Sequence, residues 1–311
     1  MKVVAKIGRE DIATVYIAEN QGENLIEFVE SLQPPLPREK KWVLTISTLY
    51  GCPVGCRFCD AGGYYQGKLS TGEILYQIDY LIKERYQDKQ VAVEKLKIQF
   101  ARTGEPSFNE NVLEVLRLLP ELYDAPGLMI SFSTIAPRGT EKFLGKLLRI
   151  KNENYVGKFQ FQFSLHTTNE ALRDWLIPMN KWSFKQMAEF GQAFHQPGDR
   201  KITLNFALSE GMPVDSHVLL DYFDPSLFLI KITPVNPTFQ ARKNHILSYV
   251  RPDREKYEII EALKQAGYEV ILSIGELEEN WIGSNCGQYV TAYKNAGESL
   301  EGGFVYDIRK L

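Results

Sequence analysis

No run of about 18 apolar residues occurs in this sequence, so hydropathy gives no membrane-spanning helix. The opening MKVVAKIGREDIATVY has no basic stretch leading into an apolar core and a cleavage site, so no secretory signal is read there and a cytoplasmic location is expected. Basic residues are not in excess either. Against 36 Lys and Arg stand 39 Asp and Glu, a net charge of -3, which removes the global field that draws a protein to a polyanion. Cysteine is scarce: four residues in 311 cannot frame a disulfide scaffold. In a reducing compartment clustered cysteines serve metals or catalysis instead. No internal repeat or low-complexity tract appears. What remains, with 44% hydrophobic and 24% charged residues, is the composition of a globular chain long enough to bury a full core.

Short β-rich runs recur from Trp42 onward: WVLTIS (42–47), KLKIQFA (95–101), LMISFST (128–134), KFQFQFSLH (158–166), KITLNFAL (201–208), LFLIKITPV (227–235) and YEVILSI (268–274). Between most of them lie segments with apolar residues at i, i+3 and i+4, such as GEILYQIDYLIKERY and NENVLEVLRLLPEL. The alternation predicts an α/β fold, a partial (β/α) barrel of about six to seven units, and fits an open or a closed ring. Residues 1–41 read as an N-terminal extension: a hairpin (KVVAKI, TVYIA), a helix around ENLIEFVESL and a stiff connector, QPPLPREKK. Residues 42–240 form the predicted core barrel, and 241–311 a C-terminal segment that completes the site. The basic stretch TFQARKNHILSYVRPDREK reads as solvated surface.

Three of the four cysteines fall in GCPVGCRFC: Cys52, Cys56 and Cys59, spaced C-x3-C-x2-C directly after the first barrel strand. A structural zinc ion takes four protein ligands, commonly from paired C-x2-C hooks. Only three thiols are local here. Three thiolates on one tight loop suit three irons of a [4Fe-4S] cluster and leave the fourth iron to a non-protein ligand. Structural zinc and unligated core cysteines are the competing readings. Phe58 would shield a cluster, and Gly51 and Gly55 let the backbone wrap one.

This spacing, with an aromatic residue before the third cysteine, resembles the radical S-adenosylmethionine (SAM) superfamily. There the open iron chelates SAM, and an electron from the cluster cleaves it to a 5'-deoxyadenosyl radical. The resemblance implies [4Fe-4S] and SAM as cofactors and an electron donor such as flavodoxin or ferredoxin.

Barrel enzymes place their chemistry on loops at the C-terminal strand ends. The distinctive residues fall there: Gly104 and Glu105 in RTGEP, Ser133 and Thr134, then Ser164, Leu165 and His166, Asn236 in TPVNP, and Cys286 in GSNCGQY. Singly each has a bland reading, a turn for Gly-Glu or a satisfied core residue for His166. The series GCPVGCRFC, LSTGEIL, TGEPSFN, ISFST, FSLHTTNEALRDWLIPMN, ITPVNP and NCGQ, in this order, resembles the class A radical SAM methylases. These are the 23S rRNA adenosine C2 methyltransferases and the related C8 methylases. The resemblance implies that Gly104, Glu105, Ser133, Ser164, Leu165, His166 and Asn236 contact SAM. It also implies that Cys286 is the cysteine that carries the methyl group to the base; its bland reading is a small buried hydrophobe.

The sequence departs from that family in three places. Thr45 stands where the methylases have a second catalytic cysteine that resolves the enzyme-RNA adduct, and no spare cysteine exists. Ala13 stands at the glutamate of the family's E-T-V-Y-I strand, and the larger N-terminal RNA-binding domain is not matched. The favoured reading is a radical SAM enzyme with a changed substrate and Cys286 as hydrogen-atom donor, adduct-forming residue or methyl carrier. An RNA adenine methyltransferase is the alternative, disfavoured by the net charge, and a non-catalytic iron-sulfur sensor or scaffold is the third.

Overall fold

The computed structural model describes residues 1–251, 254, 256–285, 288–290 and 302–311. Its chain opens with β1 (Lys2–Arg9), β2 (Ala13–Glu19) and β3 (Leu25–Ser31), followed by β4 (Trp42–Ile46) and a small hairpin, β5 (Leu49–Gly51) and β6 (Tyr65–Lys68). Strands β7 (Leu96–Phe100), β8 (Leu128–Thr134), β9 (Phe159–Ser164), β10 (Ile202–Leu208), β11 (Phe228–Pro234) and β12 (Val270–Leu272) come next, and β13 (Arg309–Lys310) lies at the C-terminus. The helices are α1 (Thr71–Arg85), α2 (Asn111–Leu122), α3 (Glu141–Asn154), α4 (Glu170–Leu176), α5 (Phe184–Phe194), α6 (Ser216–Leu220), α7 (Phe239–Lys243), α8 (Glu258–Gln265) and α9 (Leu277–Ile282). Among the described residues no helix is long and apolar enough to cross a membrane.

All seven runs from Trp42 onward are strands. They lie side by side in the order β4, β7, β8, β9, β10, β11, β12, every pair parallel. Crossover helices cover the outer face. Trp42, Leu44, Ile46, Ile98, Phe100, Phe132 and Phe161 are buried there, in one core with Ile74, Ile78, Leu81 and Ile82 of α1 and Leu116 and Leu119 of α2. Each such side chain stabilises the fold by about 1.5–3 kcal/mol relative to exposure. Helix α1 starts where Ser70 and Glu73 form a reciprocal capping box: Ser70 Oγ accepts from the Glu73 N–H, and Glu73 Oε2 accepts from the Ser70 N–H at 2.8 Å.

The helix expected around ENLIEFVESL is a strand instead. β3 pairs antiparallel with β2 (Ile17 opposite Glu27) and with β4 (Val29 opposite Thr45). The spacing of Leu25, Ile26, Phe28 and Val29 fits a helical stripe, but the free edge of β4 offers a row of unpaired backbone groups. Both faces of β3 are then covered, and its acidic residues find cations: Glu27 meets Arg102 at 2.8 Å, and Glu30 meets Arg85 at 2.9 Å and Arg38 at 3.4 Å. The sheet thus runs on past β4 through β3, β2 and β1 to β13. The barrel is open, because β3 occupies the edge that β12 would need for closure.

A second core lies on the other face of the N-terminal strands. Ala5, Ile7, Ala13, Val15, Ile17 and Val29 pack there with Ile282, Tyr289 and Val290 from the C-terminal part.

Candidate active site

The cysteine loop is built by close backbone approach. Gly51 has φ +77°, and a Cβ there would stand 1.8 Å from the Tyr64 carbonyl oxygen. The Cys52 N–H donates to that same oxygen at 3.2 Å. Neighbouring elements hold the loop from two sides. The Arg57 side chain donates to the Trp175 carbonyl at 2.8 Å at the end of α4. From α7, Thr238 donates to the Phe58 carbonyl and Asn244 to the Arg57 carbonyl, both at 2.8 Å, while the Asp60 carboxylate accepts the Phe239 and Gln240 N–H groups. An apolar jacket of Val54, Ile135, Leu176, Ile177 and Val235 surrounds Cys52, Cys56 and Phe58.

All three thiols line one cavity of about 720 Å3, whose wall also carries Gly104, Glu105, Ser133, Ser164, His166 and Asn236. That is the size of a small-molecule or cofactor site. Leu165 does not line it. Its side chain is fully buried in the main core, so its only route to a ligand is through its backbone. Gly104, at φ +100°, lets the loop press on Leu49: an added Cβ would stand 2.5 Å from that side chain.

Glu105 is buried and fixed by four donors. Its Oε1 accepts from Ser107 Oγ and Thr134 Oγ1, both at 2.6 Å, and from the Ser107 N–H; its Oε2 accepts from the Ile135 N–H at 3.0 Å. Burial nevertheless pushes its pKa up, so a cation arriving in the cavity favours its ionised form. Ser133 Oγ accepts from Gln162 Nε2 at 3.1 Å. His166 sits at φ +67°. Burial lowers its pKa to about 3, so it is neutral, and its Nδ1 accepts from the Ala207 N–H at 3.0 Å, which places the ring proton on Nε2. The Phe58 ring meets the imidazole edge to face at 4.9 Å.

The donor set fits an iron-sulfur cluster. Among the described residues no three His, Cys, Asp or Glu side chains converge on a single ion. The three thiols line the same cavity. Burial raises the pKa of Cys52 to about 11 and that of Cys56 further, with Glu105 adding to both. Thiolates there need a cationic partner, which iron supplies.

Cys286 lies outside the described residues. Those flanking it are clamped to the RTGEP loop. Arg102 donates from Nη1 to the Ser284 carbonyl and from Nη2 to the Gly283 carbonyl, both at 2.8 Å. Thr103 Oγ1 donates to Gln288 Oε1 at 3.1 Å, and the Val290 N–H donates to Glu27 Oε2 at 3.0 Å. Asn285 reaches the cavity wall. Thr45 pairs with Gln99 across β4 and β7 and shares the inner face with Val43; Gln99 and Val43 both line the cavity. Ala13 lies in the second core and does not line it.

Sequence reasoning passed over the inner face of the barrel. Gln99, Gln162, Asn205 and Lys231 line the cavity, and the Asn205 side-chain oxygen is buried without a hydrogen bond. The signal was the alternation in KIQFA and FQFQFS. Central parallel strands are normally apolar on both faces, so polar residues at every second position mark a wet interior.

Glu105→Gln should weaken SAM binding by about 1.5–3 kcal/mol, the scale of a charge-assisted hydrogen bond, with the cluster absorption unchanged. Calorimetric titration of reconstituted protein measures it. Equal affinities would reduce Glu105 to a local cap.

Residues 46–207 match the family described as the Radical SAM superfamily. The chain is 26% identical over 283 residues to a protein named probable dual-specificity RNA methyltransferase RlmN from Thermotoga neapolitana, covering 88% of this chain and 77% of that protein. It is 31% identical over 252 residues to the protein of the same name from Desulfitobacterium hafniense strain Y51, covering 78% of this chain and 66% of the relative. Among solved structures, a radical SAM methyltransferase from Sphaerobacter thermophilus superimposes with a TM-score of 0.66 at 19% identity, over 92% of this chain and 80% of that one, a likeness of fold.

Proposed function

This chain belongs to the radical SAM superfamily, and we propose that it is a member whose substrate is not the adenine of 23S rRNA, with Cys286 as its substrate-side residue. It is an enzyme with a [4Fe-4S] cluster and SAM as cofactors. When bound, the cluster supplies the electron that splits SAM to methionine and a 5'-deoxyadenosyl radical. The observation that carries the reading is the grouping of Cys52, Cys56 and Cys59 with Glu105, Ser133, Ser164, His166 and Asn236 around one cavity.

In this reading the three thiols hold the cluster, and Glu105, already oriented by Thr134 and Ser107, takes the SAM ammonium. Ser133, Ser164 and Asn236 offer further polar groups, and neutral His166 adds none of the positive charge that would repel SAM's sulfonium. The apolar jacket around the cysteine loop keeps water from the reacting end. Electrons come from a donor of the flavodoxin or ferredoxin class. Thr45 supports the change of substrate: at the position of the resolving thiol it presents a hydroxyl, which cannot close a disulfide with Cys286.

RNA methylation is the second reading, favoured by the names of the relatives. Anaerobic incubation with labelled SAM and a strong reductant separates the two. The expected result is slow formation of 5'-deoxyadenosine and no multiple-turnover methylation of 23S rRNA fragments. Efficient catalytic production of methyladenosine by the unmodified protein would return it to the RNA methylases, and absence of 5'-deoxyadenosine would sink the enzymatic reading.

A further inference from the structure

The cysteine loop has two sides. Its thiols line the cavity, whereas Arg57, set between Cys56 and Cys59, does not. The Arg57 side chain turns instead to α4: Nε donates to the Trp175 carbonyl, and the guanidinium lies over the Trp175 ring, 5.0 Å from its centroid. That indole is 39% exposed. On the other flank Asn244 bonds the Arg57 carbonyl, and Lys243 beside it, at the end of α7, is exposed. The basic stretch that begins at Thr238 thus meets the cysteine loop on its outer side, and none of Arg57, Trp175 and Lys243 lines the cavity.

Neither Arg57 nor Lys243 forms a salt bridge among the described residues. Of the carboxylates on α4, Asp174 is held by Lys181 at 2.6 Å, and Glu170 lies in the first turn, away from Trp175 near the helix end. An exposed tryptophan stacked with arginine is a pairing enriched at protein interfaces, where both residues serve as anchors. The enzymatic reading draws one electron from an external donor. The donor is oxidised by one electron, the bound cluster is reduced by one, and no atom is transferred. With SAM and substrate filling the cavity, a donor reaches the cluster from the outer side of the loop. Arg57 stands there next to Cys56, its Cα about 3.8 Å along the chain.

We propose that Arg57, Trp175 and Lys243 form the docking face for a small acidic electron-carrier protein, which delivers its electron through the back of the cysteine loop. The proposal rests on the enzymatic reading and deepens it. The chain's net charge of -3 repels an acidic carrier as a whole, so a local positive face decides where the carrier settles and in which orientation. A polynucleotide would also meet these cations, but its reacting base has to enter the cavity, and this face lies outside the cavity wall.

The test uses anaerobically reconstituted holoprotein with SAM, titrated calorimetrically at low salt with oxidised flavodoxin and separately with oxidised ferredoxin. At least one carrier should bind saturably, and more weakly as salt rises. Lys243→Glu should weaken that binding about tenfold, yet form 5'-deoxyadenosine with dithionite at the unmodified rate, because dithionite needs no docking face. Trp175→Ala, with full iron content as the check on its folding, should show a similar loss of binding. Lys264→Glu should bind the carrier as the unmodified protein does, since α8 leads into the start of β12, at the end of the barrel opposite the cysteine loop. No saturable binding of either carrier, equal binding in Lys243→Glu, or the same loss in Lys264→Glu would overturn the proposal. So would a Lys243→Glu variant that loses binding of 23S rRNA fragments and keeps the carrier, which would assign the face to RNA. The carriers are oxidised during the titration, so absence of 5'-deoxyadenosine with dithionite sinks the enzymatic reading while leaving the docking result readable.

Discussion

Replacing Cys52, Cys56 or Cys59 by alanine should abolish the broad visible absorption of anaerobically reconstituted protein and take its iron from about four per chain toward none. The expectation follows from the loop itself: the three thiols line one cavity, on a loop fixed by the close approach of Gly51 to the Tyr64 carbonyl. With burial already holding Cys52 and Cys56 in their protonated forms, removing one ligand leaves too little iron affinity to drive the other two to thiolates. Cys286→Ala should keep the full iron content, because its flanking residues are anchored to Arg102, Thr103 and Glu27 rather than to the cysteine loop. Loss of iron in that variant would make Cys286 a fourth ligand and undo the division of labour proposed for the two sets of cysteines.

Arg102→Met should cost about 3–5 kcal/mol of unfolding free energy, the scale of breaking a buried ion pair from one side. Its side chain and that of Glu27 are 2% and 0% exposed, so removing the guanidinium strands a carboxylate with no route to water. It also strands the Gly283 and Ser284 carbonyls. Denaturant unfolding of the single variant and of the Glu27→Leu, Arg102→Met pair separates these effects: the pair should recover much of the loss, because both charges leave together. A single-variant cost under about 1 kcal/mol would mean that solvent reaches the pair.

The seven barrel strands and the cysteine site were legible because their signals are local. Each strand is a run of β-branched and aromatic residues between helical segments, and the cysteines lie within one turn-rich loop. Strand β3 was not legible. ENLIEFVESL satisfies a helical stripe and a strand equally, and the neighbour that decides is the free edge of β4. The Glu27–Arg102 clamp was hidden for the same reason, since neither residue carries a mark of its partner. Gln99 and Lys231 were in plain view in KLKIQFA and LFLIKITPV, but only a parallel sheet with an inward face brings two such scattered polar residues to one cavity wall. The departure at Thr45 was read from motif alignment, and the register of β4 against β7 gives it a place on the cavity side.

The second core has a consequence for the order in which the protein is made. Its N-terminal part emerges from the ribosome before the barrel, with Ala5, Ile7, Ala13, Val15 and Ile17 forming an apolar sheet face, but residues that cover it, Ile282, Tyr289, Val290, Phe304, Tyr306 and Ile308, are translated after the barrel. Strand β1 gains its outer partner only when Lys310 arrives opposite Ala5. Throughout synthesis of the barrel that face and that edge stand open, a template for pairing with another nascent chain. Contacts between such distant segments also close slowly. The vulnerable species for aggregation is therefore not a chain that has lost its barrel. It is one whose barrel is finished and whose two ends have yet to meet.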